Sequence, residues 1–137
     1  MNIIDKLITE FDIKKYREKL FLFSETYEEL KDKHVIKVIE NGVTVAIAMY
    51  SKMDEEELSL YLGDEQKEYK NILKECIYLD AISSLNKGKH YADEIINYVN
   101  SKFYNIFVYS HIDAVSYWKN KKKWYDIGEN LFVEKIN

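Results

Sequence analysis

The clearest pattern in the chain is a pair of β-branched runs, His34 to Glu40 and Val43 to Tyr50, on either side of Asn41-Gly42. Asn-Gly tolerates the positive φ angles of a type I′ turn, so the pattern predicts a tight β-hairpin. Upstream, Asp12 to Lys33 is rich in Lys, Glu, Leu and aromatics and predicts two short helices packed together, the second capped by Ser24. Downstream comes an acidic block, Asp54-Glu55-Glu56-Glu57, then Leu58 to Leu62, Gly63 and a Lys/Glu-rich stretch reaching Lys74 with room for a short helix. Cys76 to Ser84 is strand-like. From Ala92 the period changes, and Ala92, Ile95, Ile96 and Val99 fall on one helical face. Tyr104 to Ser110 predicts a buried strand, and Asp113 can cap a helix reaching Lys122. Trp124 to Ile127 and Leu131 to Ile136 then predict a hairpin around Gly128-Glu129-Asn130. A strand-helix-strand unit within otherwise antiparallel pairing implies an α/β fold, with a mixed, mostly antiparallel sheet flanked by helices and one right-handed crossover.

Composition narrows the picture. The chain has 137 residues, 47% hydrophobic and 32% charged, which suits one ordered domain spanning the whole sequence. With no proline, four glycines and no low-complexity tract, neither a linker nor a repeat is expected. The net charge of −4 comes from intermixed Lys and Glu, so the basic stripe that a nucleic-acid partner requires is absent. Cys76 has no second cysteine to pair with and no spaced partners for a zinc site, and it reads as a small, half-buried strand residue. No metal site is expected. The first residues lack the apolar run of a signal peptide and no stretch is long enough to span a bilayer, so the expectation is a cytoplasmic protein without a membrane partner. A homodimer is compatible with the sequence, which does not decide the oligomeric state.

Two local motifs add a resemblance. The first is Lys87-Gly88-Lys89-His90-Tyr91-Ala92, between the strand ending at Ser84 and the following helix. The second is His111-Ile112-Asp113-Ala114-Val115-Ser116-Tyr117-Trp118-Lys119-Asn120. With the element order from His34 onward they resemble the GNAT superfamily, the Gcn5-related N-acetyltransferases. There the first motif reads Gln/Arg-x-x-Gly-x-Gly/Ala and the second Asn-x-x-Ala-x-x-Phe-Tyr-x-Lys-x-Gly-Phe. In this chain Lys87 stands for the leading Gln or Arg, His90 for a glycine, His111 for the Asn, and Trp118 for the tyrosine of the aromatic pair.

The resemblance implies an acetyl-CoA-dependent N-acyltransferase acting on an amine of a small molecule or protein. It implies that the CoA pyrophosphate lies on the amides of Gly88, Lys89, His90, Tyr91 and Ala92, with Lys87 and Lys89 adding charge at the positive end of a helix dipole. It places the pantetheine beside Ile82, Ser83 and Ser84, and brings His111 to the cofactor side. Backbone amides around Asp80 to Ile82 become oxyanion donors. Asp80 or Glu75 becomes the base for the attacking amine. The family's phenolic acid falls at Trp118, whose indole is no useful acid, with Tyr117 beside it. The changes at His90 and Trp118 leave a second reading open, a CoA-binding or regulatory protein of the same fold with impaired chemistry. The acidic segment 54–68 is read either as a solvated loop or as an attractor for a cationic amine.

Overall fold

The computed structural model describes residues 2–53, 55–63, 76–85, 91–103, 106–109, 124–128 and 131–134. In chain order its elements are β1 (Asn2–Leu7), α1 (Glu10–Tyr16), α2 (Tyr27–Leu30), β2 (His34–Glu40), β3 (Val43–Lys52) and α3 (Glu55–Tyr61). After these come β4 (Ile77–Ser84), α4 (Tyr91–Lys102), β5 (Ile106–Tyr109), β6 (Trp124–Gly128) and β7 (Leu131–Glu134). The chain divides into two compact units, Met1–Ser51 with Leu79–Val99, and Lys52–Tyr78 with Asn100–Asn137.

In the first unit the strands run in the order β1-β2-β3-β4. The expected hairpin is present: β2 and β3 pair antiparallel from His34↔Tyr50 to Glu40↔Val43, with a register shift between Val38 and Ile39. Asn41 and Gly42 take φ values of 53° and 78°, the two positive angles that a type I′ turn needs. Both faces of this hairpin are buried, which is why its residues form continuous apolar runs instead of a clean alternation. On one face Val35, Ile47 and Met49 join Ala81 of β4 in a core with Ile8, Ile13, Tyr16, Leu20, Leu22 and Leu30 from the α1–α2 region. The other face, by the two-residue period of a strand, carries Ile36, Val38, Ala46 and Ala48, all fully buried.

Ile95, Ile96 and Val99 of α4 are buried, as the helical period predicts, while Ala92 is half-buried. Tyr98 on the same helix donates its hydroxyl to the Asp5 carboxylate of β1 at 2.6 Å. Tyr50 of β3 donates to the same carboxylate at 2.9 Å, so α4 is tied to two strands through one acidic side chain. Burial first, and the hydrogen bond to Asp5 second, push the Tyr50 phenol well above its ordinary pKa. His34 stacks on Tyr50 with ring centroids 5.0 Å apart.

Several local expectations change. Residues 2–7 form a strand, pairing antiparallel with β2 from Asn2↔Ile39 to Leu7↔His34. The first helix starts at Glu10, capped by Thr9: the Thr9 hydroxyl accepts from the Asp12 N–H, and the Asp12 carboxylate accepts from the Thr9 N–H, each at 3.1 Å. The second helix is capped by Thr26, not Ser24, because Glu29 stands three residues on and its carboxylate accepts from the Thr26 N–H and hydroxyl. Glu55 opens a helix, α3, on which Glu56 and Glu57 are exposed.

In the second unit the strands run β5-β7-β6, all antiparallel, with Phe107↔Val133 and Tyr109↔Leu131 on one side of β7 and Trp124↔Glu134 on the other. The closing hairpin is therefore as expected, with a register shift between Asp126 and Gly128. Ile106, Val108 and Phe132 are buried. Cys76 is 1% exposed, fully buried where half-burial was expected, and its carbonyl accepts from the Met53 N–H at 2.9 Å. Burial pushes its thiol up to about 11, so it stays protonated and inert near neutral pH. The helix expected over 113–122 lies outside the described residues.

Candidate active site

Ile77, Tyr78, Leu79 and Ala81 are buried, and this apolar run fixes β4 and presents Asp80 among them. Both oxygens of Asp80 are engaged. Oδ1 accepts from the Lys33 ammonium at 2.7 Å and Oδ2 from the Ser51 hydroxyl at 3.0 Å. Lys33 ends the turn between α2 and β2: its N–H donates to the Leu30 carbonyl at 2.9 Å and its own carbonyl accepts from Ile8 at 3.0 Å. The backbone of Lys33 is thus held while its side chain reaches to β4. With side chains 25% and 13% exposed, the Lys33–Asp80 pair is open to solvent at one edge. A carboxylate in this setting can take a proton from a bound amine once Lys33 gives way.

Farther along β4, Ile82, Ser83 and Ser84 are half-buried. The Ser83 hydroxyl donates to the Lys19 carbonyl at 2.6 Å, tying the end of β4 to the segment between α1 and α2. The Leu85 N–H donates to the Val45 carbonyl at 2.9 Å, and Leu85 packs against the core of the α1 face. The Arg17 guanidinium shapes the segment after α1 by donating to the carbonyls of Phe23 and Glu25, at 2.9 and 3.1 Å.

Tyr91 opens α4. Hydrogen bonding to the Glu40 carboxylate, aided by burial and by the Glu40 charge, raises the pKa of the Tyr91 phenol. Glu40 Oε2 is buried and lacks a hydrogen-bond partner among the described residues. Asp93 and Glu94 occupy the first turn of α4, where the helix dipole favours negative charge. Of the residues singled out from the sequence, Asp80, Ile82, Ser83, Ser84, Tyr91 and Ala92 are described, all within the first unit. Glu75, Lys87, Gly88, Lys89, His90, His111, Tyr117 and Trp118 lie outside the described residues.

Lys33 and Ser51, as partners of Asp80, escape sequence reasoning. Lys33 lies 47 residues away and Ser51 lies 29 away, with no local motif linking them. Only the strand order brings the start of β2, the end of β3 and the middle of β4 together.

No family model matches the sequence, and no curated protein matches it. Solved structures do. A mutant agmatine N-acetyltransferase in its apo form superposes with a TM-score of 0.52 at 10% identity, over 92% of this chain and 85% of that one. The IAA acetyltransferase of Bacillus cereus gives 0.53 at 7% identity, over 98% of this chain and all of its own, 100%. The chain has the GNAT fold. A protein assigned to the GNAT acetyltransferases of Bacteroides thetaiotaomicron gives 0.51 at 12% identity, over 98% and 88% of the two chains. Among the described residues the elements expected from His34 onward follow in order: the β2–β3 hairpin, β4, α4, β5 and the closing β6–β7 hairpin. Among the described residues no helix is long and apolar enough to cross a membrane.

Proposed function

We propose that the chain, acting as one domain over residues 1–137, is an acetyl-CoA-dependent N-acetyltransferase that works in the cytoplasm on a primary amine. The observation that carries this reading is the fold it shares with acetyltransferases, together with an acidic side chain, Asp80, on the strand that leads into α4. Bound acetyl-CoA supplies an activated acetyl thioester. On this reading its pyrophosphate is held by the amides of Gly88 to Ala92, a stretch that in sequence runs into α4, with Lys87 and Lys89 supplying positive charge. Ile82, Ser83, Ser84 and His111 flank the cofactor.

Backbone N–H groups over residues 80–82 are the donors for the carbonyl oxygen, a role in which oriented amides are worth several kcal/mol, roughly 3. The acceptor nitrogen forms its bond to the acetyl carbon as the carbon–sulfur bond breaks. Asp80 takes the amine's proton, with Glu75 as the alternative base, and the departing sulfur is protonated by water or by Tyr117, since Trp118 offers no acidic proton. The exposed acidic side chains of α3 favour a cationic acceptor, and one matched structure is an agmatine N-acetyltransferase. A homodimer is compatible with this reading; neither nucleic acid nor membrane is part of it.

A second reading is favoured by the full engagement of Asp80: a CoA-binding regulatory protein in which Lys33 and Ser51 keep the carboxylate from acting as a base. Thermal shift with CoA and amine-dependent release of free CoA separate the two. A concentration-dependent rise in Tm that Gly88→Asp abolishes, with CoA release on adding amines, supports the enzyme. A rise in Tm without release leaves the regulatory reading, and no rise at millimolar CoA removes both.

A further inference from the structure

The Lys33–Asp80–Ser51 cluster holds, within one chain, the chemical group that an N-acetyltransferase must bind from outside. An unbranched alkylammonium, the end of the Lys33 side chain, sits 2.7 Å from a β4 carboxylate whose other oxygen is fixed by Ser51 at 3.0 Å. Ser51 orients the carboxylate independently of Lys33, so the seat keeps its shape when the lysine leaves. Lys33 is anchored through its backbone, by the bonds to Leu30 and Ile8, and its flexible stem can swing into water without disturbing those bonds. The exposed edge of the pair, 25% and 13% by side chain, gives an incoming ammonium access.

We propose that Asp80 and Ser51 form the seat for the acceptor's ammonium, and that Lys33 fills this seat until an unbranched primary alkylammonium displaces it. The acceptor role of the seat rests on the acetyl-transfer reading above. The seat selects by hydrogen bonding and charge. A primary ammonium reproduces the N–H that Lys33 gives to Oδ1. A quaternary ammonium has no N–H, and its methyl groups prevent approach to 2.7 Å. An aromatic amine, uncharged at neutral pH, cannot compete with a resident cation. Because Lys33 competes from within, the apparent affinity for the acceptor is lowered by the fraction of molecules in which the seat is filled. Partly exposed pairs are weak, so that factor is about fivefold, not thousands. Once Lys33 is displaced, the bound ammonium passes one proton to Asp80 and frees its nitrogen lone pair; as nitrogen bonds to the acetyl carbon and the carbon–sulfur bond breaks, the second N–H proton goes through water to the departing sulfur, and Asp80 returns its proton to solvent.

The test titrates n-butylamine into the intact protein while following the NMR signal of the Lys33 ε-methylene, assigned by its loss in Lys33→Arg. The seat predicts a saturable shift of the Lys33 signal, with the other lysines unmoved and tetramethylammonium without effect. Calorimetry should show Lys33→Met, confirmed as folded by its melting curve, binding n-butylamine about fivefold more tightly, and Asp80→Asn binding none. An unmoved Lys33 signal at saturating n-butylamine overturns the proposal without recourse to any variant. Unchanged or weaker binding by folded Lys33→Met also overturns it. CoA affinity, measured alongside, separates the two claims: absence of CoA binding overturns acetyl transfer and with it the acceptor role, whereas CoA binding with an unmoved Lys33 overturns the seat alone.

Discussion

Lys37 meets Asp12 between β2 and α1 with side chains 11% and 0% exposed, whereas Lys33 meets Asp80 with side chains 25% and 13% exposed. The first pair is sealed. Asp12 accepts from Lys37 at 2.5 Å while also capping α1 through Thr9, and the Lys37 ammonium lies 5.5 Å from the centre of the Tyr16 ring. Burial alone would raise the Asp12 pKa, but the hydrogen bonds from Lys37 and Thr9 outweigh it and hold the carboxyl below its usual range. The second pair has the same two side-chain types, yet one edge is open and its carboxylate is positioned by Ser51 as well as by the lysine. A sealed ion pair holds elements together because neither partner can return to water. An open one can exchange its cation at little cost. The contrast assigns Asp12 to stability and, on the function proposed above, Asp80 to chemistry.

The largest effect should come from breaking the sealed pair. Lys37→Met strands the Asp12 carboxylate in the core and should cost about 3 to 5 kcal/mol in denaturant unfolding. Lys33→Met should cost about 1 kcal/mol or less. Equal losses would break the comparison. Acid should report the same asymmetry. The folded pKa of Asp12 lies below its unfolded value of 3.8, so the pair's stabilisation is complete above that value and is lost as pH falls through the lower folded one. Wild type should therefore lose stability between about pH 5 and pH 2 more steeply than Asp12→Asn, followed by denaturation midpoints at each pH.

Next in size is Asp5→Ala, which leaves the phenols of Tyr50 and Tyr98 without their shared acceptor and should cost about 1 to 3 kcal/mol by thermal or chemical melting. The smallest is Gly42→Ala. A Cβ there would meet nothing within 4 Å, so only the backbone preference against φ +78° remains, and the expected loss is about 1 kcal/mol. A neutral result would mean that the turn relaxes to another type.

Elements whose signal is local were legible in the sequence. The Asn41-Gly42 hairpin was set by two residues that tolerate positive φ, and α4 by the spacing of Ile95, Ile96 and Val99. The caps could have been read more closely, since Thr9 and Thr26 each stand three residues before an acidic partner, Asp12 and Glu29, whereas Ser24 precedes Tyr27. β1 was not legible: apart from half-buried Asp5 its residues are exposed, so it has no apolar face to announce it, and its conformation follows from pairing with β2. At the candidate site, Asp80 was legible as an acidic residue on a strand followed by a loop and a helix. Lys33 and Ser51 were not, because the contact that gives them meaning is made by strand order.

The most direct test of acetyl transfer at Asp80 is the initial rate of CoA release from acetyl-CoA with n-butylamine as acceptor, compared between wild type and Asp80→Asn at matched CoA affinity. The account predicts amine-dependent release by wild type and a fall of about 10²-fold or more in Asp80→Asn, the usual worth of a general base. Equal rates in the two proteins, or no amine-dependent release from wild type that binds CoA, would contradict it.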